Sequence, residues 1–345
     1  MRRFLAGLLL SAVLGSIAYA EEAPQSVHPA PHVSPWPLLG TGDTPGMRQA
    51  SLALGPELQR GRFAREMLAE HRKLEKALAS LQPQRKGVVD AYVIAIALDS
   101  DPVFGREARE AGKVLARRYD AQGRSIVLAG PDGRSADLPK GSISALTLAM
   151  ARVAELMDPA EDVLVLYSTS HGMPDGLAYH DSDYGYGILS PYRFRSVLDE
   201  LGIGRRILML SACYSGVFVP ALASRDTAIV TAASAETASF GCQADNDWTF
   251  FGDALVNHAL RKRSTLQVAA NEAQGTIAGW EADSGLPPSL PQVWIGDGVG
   301  AWLAPLEART PKGETAPVGT PATASMQRIV AAMAASRGEG AQSGR

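Results

Sequence analysis

Two residues whose chemistry is complementary, His171 and Cys213, each stand where an apolar run of the sequence ends. Val163 to Ser170 leads into His171-Gly172, and Ile207 to Ala212 leads into Cys213-Tyr214-Ser215-Gly216. An ionised thiol is a competent nucleophile, and a nearby imidazole both favours the thiolate and protonates a leaving amine. The glycines suit the same chemistry. Gly172 lets backbone N–H groups approach a reacting carbonyl, as an oxyanion hole requires, and Gly216 permits close packing behind the nucleophile. The chain has one other cysteine, Cys242. A disulfide joining the two is the alternative to a free thiol; the position of Cys213 at a strand end favours the thiol.

Such a pair needs two adjacent strand ends, and the sequence supplies the strands. Ala91 to Leu98 is an almost continuous apolar run, the mark of a strand buried on both faces of a parallel sheet. Further strands are expected at Ser125 to Leu128, Val163 to Ser168, Arg206 to Leu210, Ala228 to Ala232 and Gln292 to Ile295. Helices are expected near Arg106 to Tyr119, Ser142 to Met157, from Pro191 with Ser190 as its cap, across Phe250 to Leu260, and over Leu266 to Trp280. This alternation predicts an α/β protein, a three-layer α/β/α sandwich with a mostly parallel central sheet. In such sheets sites gather at the carboxyl ends of the strands, where His171 and Cys213 fall. The Gly-, Asp- and Tyr-rich stretch between His171 and Leu189 reads as a hairpin excursion.

Outside this domain the composition changes. Residues 1–20 combine Arg2 and Arg3, an apolar run from Phe4 to Ile17, and Ala18-Tyr19-Ala20, the three parts of a cleavable signal peptide with cleavage after Ala20. The apolar run is shorter than the ~20 residues that span a bilayer. The chain is therefore expected to be periplasmic or secreted, without stable membrane insertion once the signal is removed. A Pro-rich linker (21–45) and a helical front segment (46–84) precede the main domain (85–306), and a low-complexity tail (307–345) reads as disordered. A formal net charge of −3 excludes the basic field that a nucleic-acid partner requires. The oligomeric state is not readable.

The segments Tyr167-Ser168-Thr169-Ser170-His171-Gly172 and Ser211-Ala212-Cys213-Tyr214-Ser215-Gly216 resemble the His-Gly and Ala-Cys-x-Ser-Gly motifs of legumain-type cysteine peptidases, the asparaginyl endopeptidases. That resemblance, which extends over roughly Val88 to Trp302, implies a caspase-like fold and protein or peptide substrates cut through an acyl-enzyme, with no cofactor. The catalytic residues would be His171, Cys213 and Gly172. The segment beginning Arg106-Glu107 resembles the family's Arg-containing stretch, Glu236 to Cys242 its Glu-Ser-Ser-Tyr-Ala-Cys stretch, and Gly252-Asp253 its Gly-Asp. The resemblance thus implies a substrate-binding set of Arg106, Ser211, Ser239 and Asp253, suited to cleavage after Asn or Asp. Three positions depart from the pattern. Ser211 replaces an acidic pocket residue, Ser170 replaces an Asp, and the Asn that supports the histidine has no counterpart, leaving Asp99, Ser100 and Asp101 within reach of that role.

Two other readings compete. One is a non-catalytic peptide-binding protein on the same fold. The other is a metal-dependent hydrolase using His171, Asp175, His180, Asp181 and Asp183, although that spacing fits no compact ligand motif.

Overall fold

The computed structural model describes residues 43–131 and 136–324. The expected signal peptide and nearly all of the Pro-rich linker lie outside the described residues. The elements run in the order α1 (Pro45–Ala53), β1 (Glu57–Gln59), α2 (Ala64–Ala79), β2 (Ala91–Ala97), α3 (Pro102–Arg118), β3 (Ser125–Leu128), α4 (Ile143–Leu156), β4 (Val163–Thr169), β5 (Gly172–Met173), β6 (Gly176–Asp181), β7 (Gly185–Leu189), α5 (Pro191–Glu200), β8 (Arg206–Ser211), α6 (Val219–Leu222), β9 (Thr227–Thr231), α7 (Leu266–Asp283), β10 (Gln292–Ile295) and α8 (Val299–Ala308). A π-helical segment, Gly252–His258, takes the place of most of the regular helix expected across Phe250 to Leu260.

The main sheet has the order β10-β9-β8-β4-β2-β3, and only β10 runs antiparallel to its neighbour. All seven residues of β2 and of β4 are buried, as central strands covered on both faces must be. The two-residue period of a strand sorts their side chains. Ala91, Val93 and Ala95 join one core with α3, α7 and α8, while Tyr92, Ile94 and Ile96 join the other with α4 and α5. Both faces of the sheet are thus covered by helices, giving the three-layer α/β/α architecture with a mostly parallel sheet that the sequence predicts.

Local chemistry explains the boundaries. Ser142 and Ser190 cap α4 and α5, their hydroxyls accepting the backbone N–H of Ala145 and Arg193. Helix α3 begins four residues before the expected start at Arg106. Pro102 occupies its first turn, and Val103 and Phe104 are fully buried, so the apolar face begins there.

The hairpin excursion is a second, antiparallel sheet of order β1-β7-β6-β5. Its outer strand comes from the front segment, which is therefore more than a pair of surface helices. Leu58 pairs with Tyr186, and Glu57 and Gln59 with Gly187 and Gly185.

The expectation of a disordered tail from residue 307 fails over 307–324. The Trp248 indole donates to the Val318 carbonyl at 2.8 Å, the Val318 N–H donates to Asn257 Oδ1 at 2.9 Å, and the Ala322 N–H donates to Asp253 Oδ2 at 2.8 Å. The segment is poor in apolar side chains, but its backbone groups find partners in the polar side chains of residues 247–257. A chain truncated after Ala308 should melt roughly 5–10 °C lower than the full chain, because several buried donors and acceptors lose their partners. Thermal unfolding followed by circular dichroism measures this, and an unchanged midpoint would show that the tail adds no stability.

Candidate active site

Strands β4 and β8 are parallel neighbours with Thr169 opposite Ser211, and the Ser170 N–H donates to the Ser211 carbonyl at 3.1 Å. The ladder therefore delivers His171 and Cys213 side by side, each two residues beyond that last pair. Gly172 is packed so closely that a Cβ there would fall 2.0 Å from the Cys213 carbonyl oxygen. Immediately after the cysteine, Tyr214 adopts a left-handed conformation with φ 56°, which turns the chain sharply into the 3₁₀ turn Ser215–Phe218. Ser215 is buried, and its hydroxyl accepts the N–H groups of Ala232 and Ala233, anchoring the turn to the end of β9. Gly216 leaves room for the backbone of Ser234 and Ala235, since a Cβ would lie 2.5 Å from it.

The loop after β9 wraps the thiol. The Ser239 N–H points at Cys213 Sγ from 3.3 Å, with Ser239 Oγ at 3.6 Å. The Tyr214 N–H is already bonded to the Thr237 carbonyl at 2.9 Å, so it is not a donor for a substrate oxyanion. Both cysteines are free. Cys242 packs beside Phe104 and Ala97, and burial, reinforced by the neighbouring Cys213, pushes its thiol pKa up.

The His171 imidazole is held from two directions. Nε2 lies 3.5 Å from Asp101 Oδ2, and Phe104 presents its ring edge-on at 5.0 Å. Asp99, almost fully buried at the end of β2, accepts the Asp101 N–H at 2.8 Å and lies 3.5 Å from His180 Nδ1. Burial raises the Asp99 pKa, an effect opposed by the Asp101 N–H and by the nearby His171. Of the three residues in reach from the sequence, Asp101 is the one that contacts His171. Phe104 escaped sequence reasoning, although it stands one turn from Asp101 on the buried face of α3.

The remaining sequence-derived residues divide. Ser239 is at the sulfur, as described. Arg106 donates to the carbonyls of Ala244 and Asn246 and pairs with Asp247 at 3.3 Å, leaving about a third of its side chain exposed. Ser211 is buried and bonded to Thr249 Oγ1 at 3.1 Å, so it lies beneath the site. Asp253 is a correction. It is fully buried, bonded to Asn257 Nδ2 and the Ala322 N–H and close to His258, so its carboxylate is committed to the tail and not to a pocket with Arg106. The buried acid nearest this region is instead Glu107, which accepts the Tyr167 hydroxyl at 2.6 Å and the Thr249 N–H at 2.8 Å. A Glu among Val103, Ala111 and Val114 on the apolar stripe of α3 is the signal that marked it in the sequence.

The five residues of the metal reading do not converge. Asp181 pairs with Arg62 and Lys140, Asp175 accepts from Gln49, and His180 faces Asp99. Among the described residues one group has metal-binding proximity: ligand atoms of Asp99, Asp101 and His171 lie within 4.8 Å of one another.

No curated protein matches the chain. Residues 140–301 match the model of the Peptidase C13 family, an interval that contains His171, Gly172, Ser211, Cys213, Ser239 and Asp253 and begins after Arg106. This match spans a little under half of the chain and, together with the mixed α/β fold, supports a legumain-like cysteine peptidase, a hydrolase acting on proteins or peptides.

Proposed function

We propose that the protein is an exported cysteine endopeptidase in which Cys213 is the nucleophile and His171 the proton carrier. The observation that carries this reading is the β4–β8 register, which sets the two residues side by side with the Ser239 N–H on the sulfur. The Cys213 thiolate attacks the peptide carbonyl, and the N–H groups of Gly172 and Cys213 hold the oxyanion. With Nε2 turned to Asp101, Nδ1 of His171 is the nitrogen that gives its proton to the leaving amine. The resulting thioester is then attacked by water, whose proton returns to His171, or by an amine if the enzyme transfers its acyl group.

For the residue before the scissile bond, Arg106 and Ser239 are the recognition groups, with Asp247 in place of Asp253 as the acidic partner of the arginine. Because Asp247 already offsets the Arg106 charge, a carboxamide, which both donates and accepts, gains more there than a carboxylate. Asn is therefore favoured over Asp.

Three measurements test this reading. A fluorogenic peptide library varied at that residue should be cut by the wild type with Asn preferred, and Cys213→Ala should cut none of it; cleavage by the mutant would remove Cys213 from the chemistry. Asp101→Ala should lower kcat about tenfold with KM little changed, the scale of a lost acid–base orientation. Asp101→Asn, which can still accept from Nε2, should recover most of that loss; equal damage in both variants would show that the contact does not position the imidazole. Export predicts a mature chain beginning at Glu21, read by mass spectrometry of protein recovered from outside the cytoplasm, and an intact Met1 there would contradict it.

A further inference from the structure

A cleft of about 480 Å³ opens beside His171, and the peptidase chemistry proposed above makes no use of it. Its apolar wall is Leu52, Pro56, Leu58, Met173, Tyr186 and Ile188, with His171, Asp99 and His180 at its polar end. Neither Cys213 nor Ser239 borders it. Three of the apolar residues, Leu52, Pro56 and Leu58, come from the front segment. That segment is fixed to the small sheet: the Ile188 N–H donates to the Pro56 carbonyl, the Arg60 N–H to the Tyr184 carbonyl, and the Ser190 hydroxyl to the Ala53 carbonyl.

Strand alternation turns Leu58 into the cleft. Its neighbours Glu57 and Gln59 point the other way, Glu57 accepting the Ser144 N–H and hydroxyl and Gln59 donating to the Tyr179 hydroxyl. Leu58 nevertheless keeps 44% of its surface exposed, an apolar side chain held at the rim of the cleft.

We propose that this cleft binds the leaving-group half of the peptide substrate and selects a bulky apolar side chain, such as Leu or Phe, at the first or second residue after the scissile bond. The inference rests on the assignment of His171 as the acid of the reaction. A residue that protonates the leaving nitrogen must lie within hydrogen-bond reach of it. The chain departing from that nitrogen therefore begins at the imidazole, which is itself part of the cleft wall. Strand β5, which follows directly on His171, is the end strand of the small sheet and offers its outer edge to an extended segment running past it. The front segment is by this account half of a specificity pocket.

The test uses internally quenched peptides with one acyl side ending in Asn and with Leu, Phe, Gly, Asp or Lys at each of the first two positions after the bond. The wild type should show kcat/KM for the best Leu or Phe peptide at least ~10-fold above Gly and Asp, the scale of discrimination by an apolar pocket. Leu58→Asp and the milder Leu58→Ser should erase that ratio. Alkylation of Cys213 by an asparaginyl chloromethyl ketone, which fills only the acyl side, checks that each variant has an assembled site. A flat profile in the wild type, or a preference that survives in an alkylatable Leu58→Asp protein, overturns this inference alone. Failure of the wild type to cut any peptide would overturn the peptidase reading, and this inference with it.

Discussion

The contact between Gly172 and the carbonyl of Cys213 is the point on which the site depends, because it fixes how closely two strand ends can approach. Parallel strands are spaced by their hydrogen bonds, and here the ladder continues one bond past the last residue of β4, through the Ser170 N–H and the Ser211 carbonyl. A side chain at residue 172 would have to occupy the space of the next carbonyl. Glycine removes that obstacle, and residues 171 and 213 leave their strands side by side without any loop having to fold over to join them. The left-handed Tyr214 completes the arrangement by turning the chain away directly after the sulfur.

Beneath the pair lies a buried polar layer that ties α3 to the segment after β9. Glu107 is enclosed and receives Tyr167 and the Thr249 N–H, while the Thr249 hydroxyl meets Ser211 and the Gly252 N–H. A buried carboxylate is tolerated only when its oxygens are satisfied, so this layer fixes geometry more than it adds stability. Gly252 shows how tight it is, for a Cβ there would meet the Glu107 carboxylate at 2.1 Å. Burial and the adjoining Glu107 together push the Tyr167 hydroxyl pKa well up, so Tyr167 stays a donor. The charge that legumain-type peptidases carry two residues before the cysteine is missing at Ser211, and the buried acid of this region sits on α3 instead, next to Arg106.

Two segments outside the sheet are built into the domain in different ways. The front segment extends the small sheet by a strand and brings apolar side chains to the side of His171. Residues 309–324 contribute backbone groups, which satisfy Asp253, Asn257 and Trp248 on the opposite flank. Neither segment contains an unbroken apolar run like those of the central strands, which is why composition placed both outside the main domain.

Much of the fold was legible in the residues themselves. Unbroken apolar runs at 91–98, 163–167 and 207–210 read as strands covered on both faces, and Ser142 and Ser190-Pro191 mark helix starts by chemistry that acts over three or four residues. The nucleophile and its partner were legible for the same reason, since they terminate two of those runs. What lay beyond sequence was every relation made by distant residues meeting side by side. Asp253 looked like a pocket acid until Ala322 of the tail, some seventy residues later in the chain, took one of its oxygens and Asn257 the other. Asp247 gained its contact with Arg106, and Phe104 its contact with His171, only through the packing of α3 against the loop after β9 and the end of β4. Sequence fixes what each residue can do within its own element, because strand period and capping are local. Which groups share a site was decided by the tertiary structure, because burial, charge pairing and steric exclusion depend on what the folded chain places within a few ångströms.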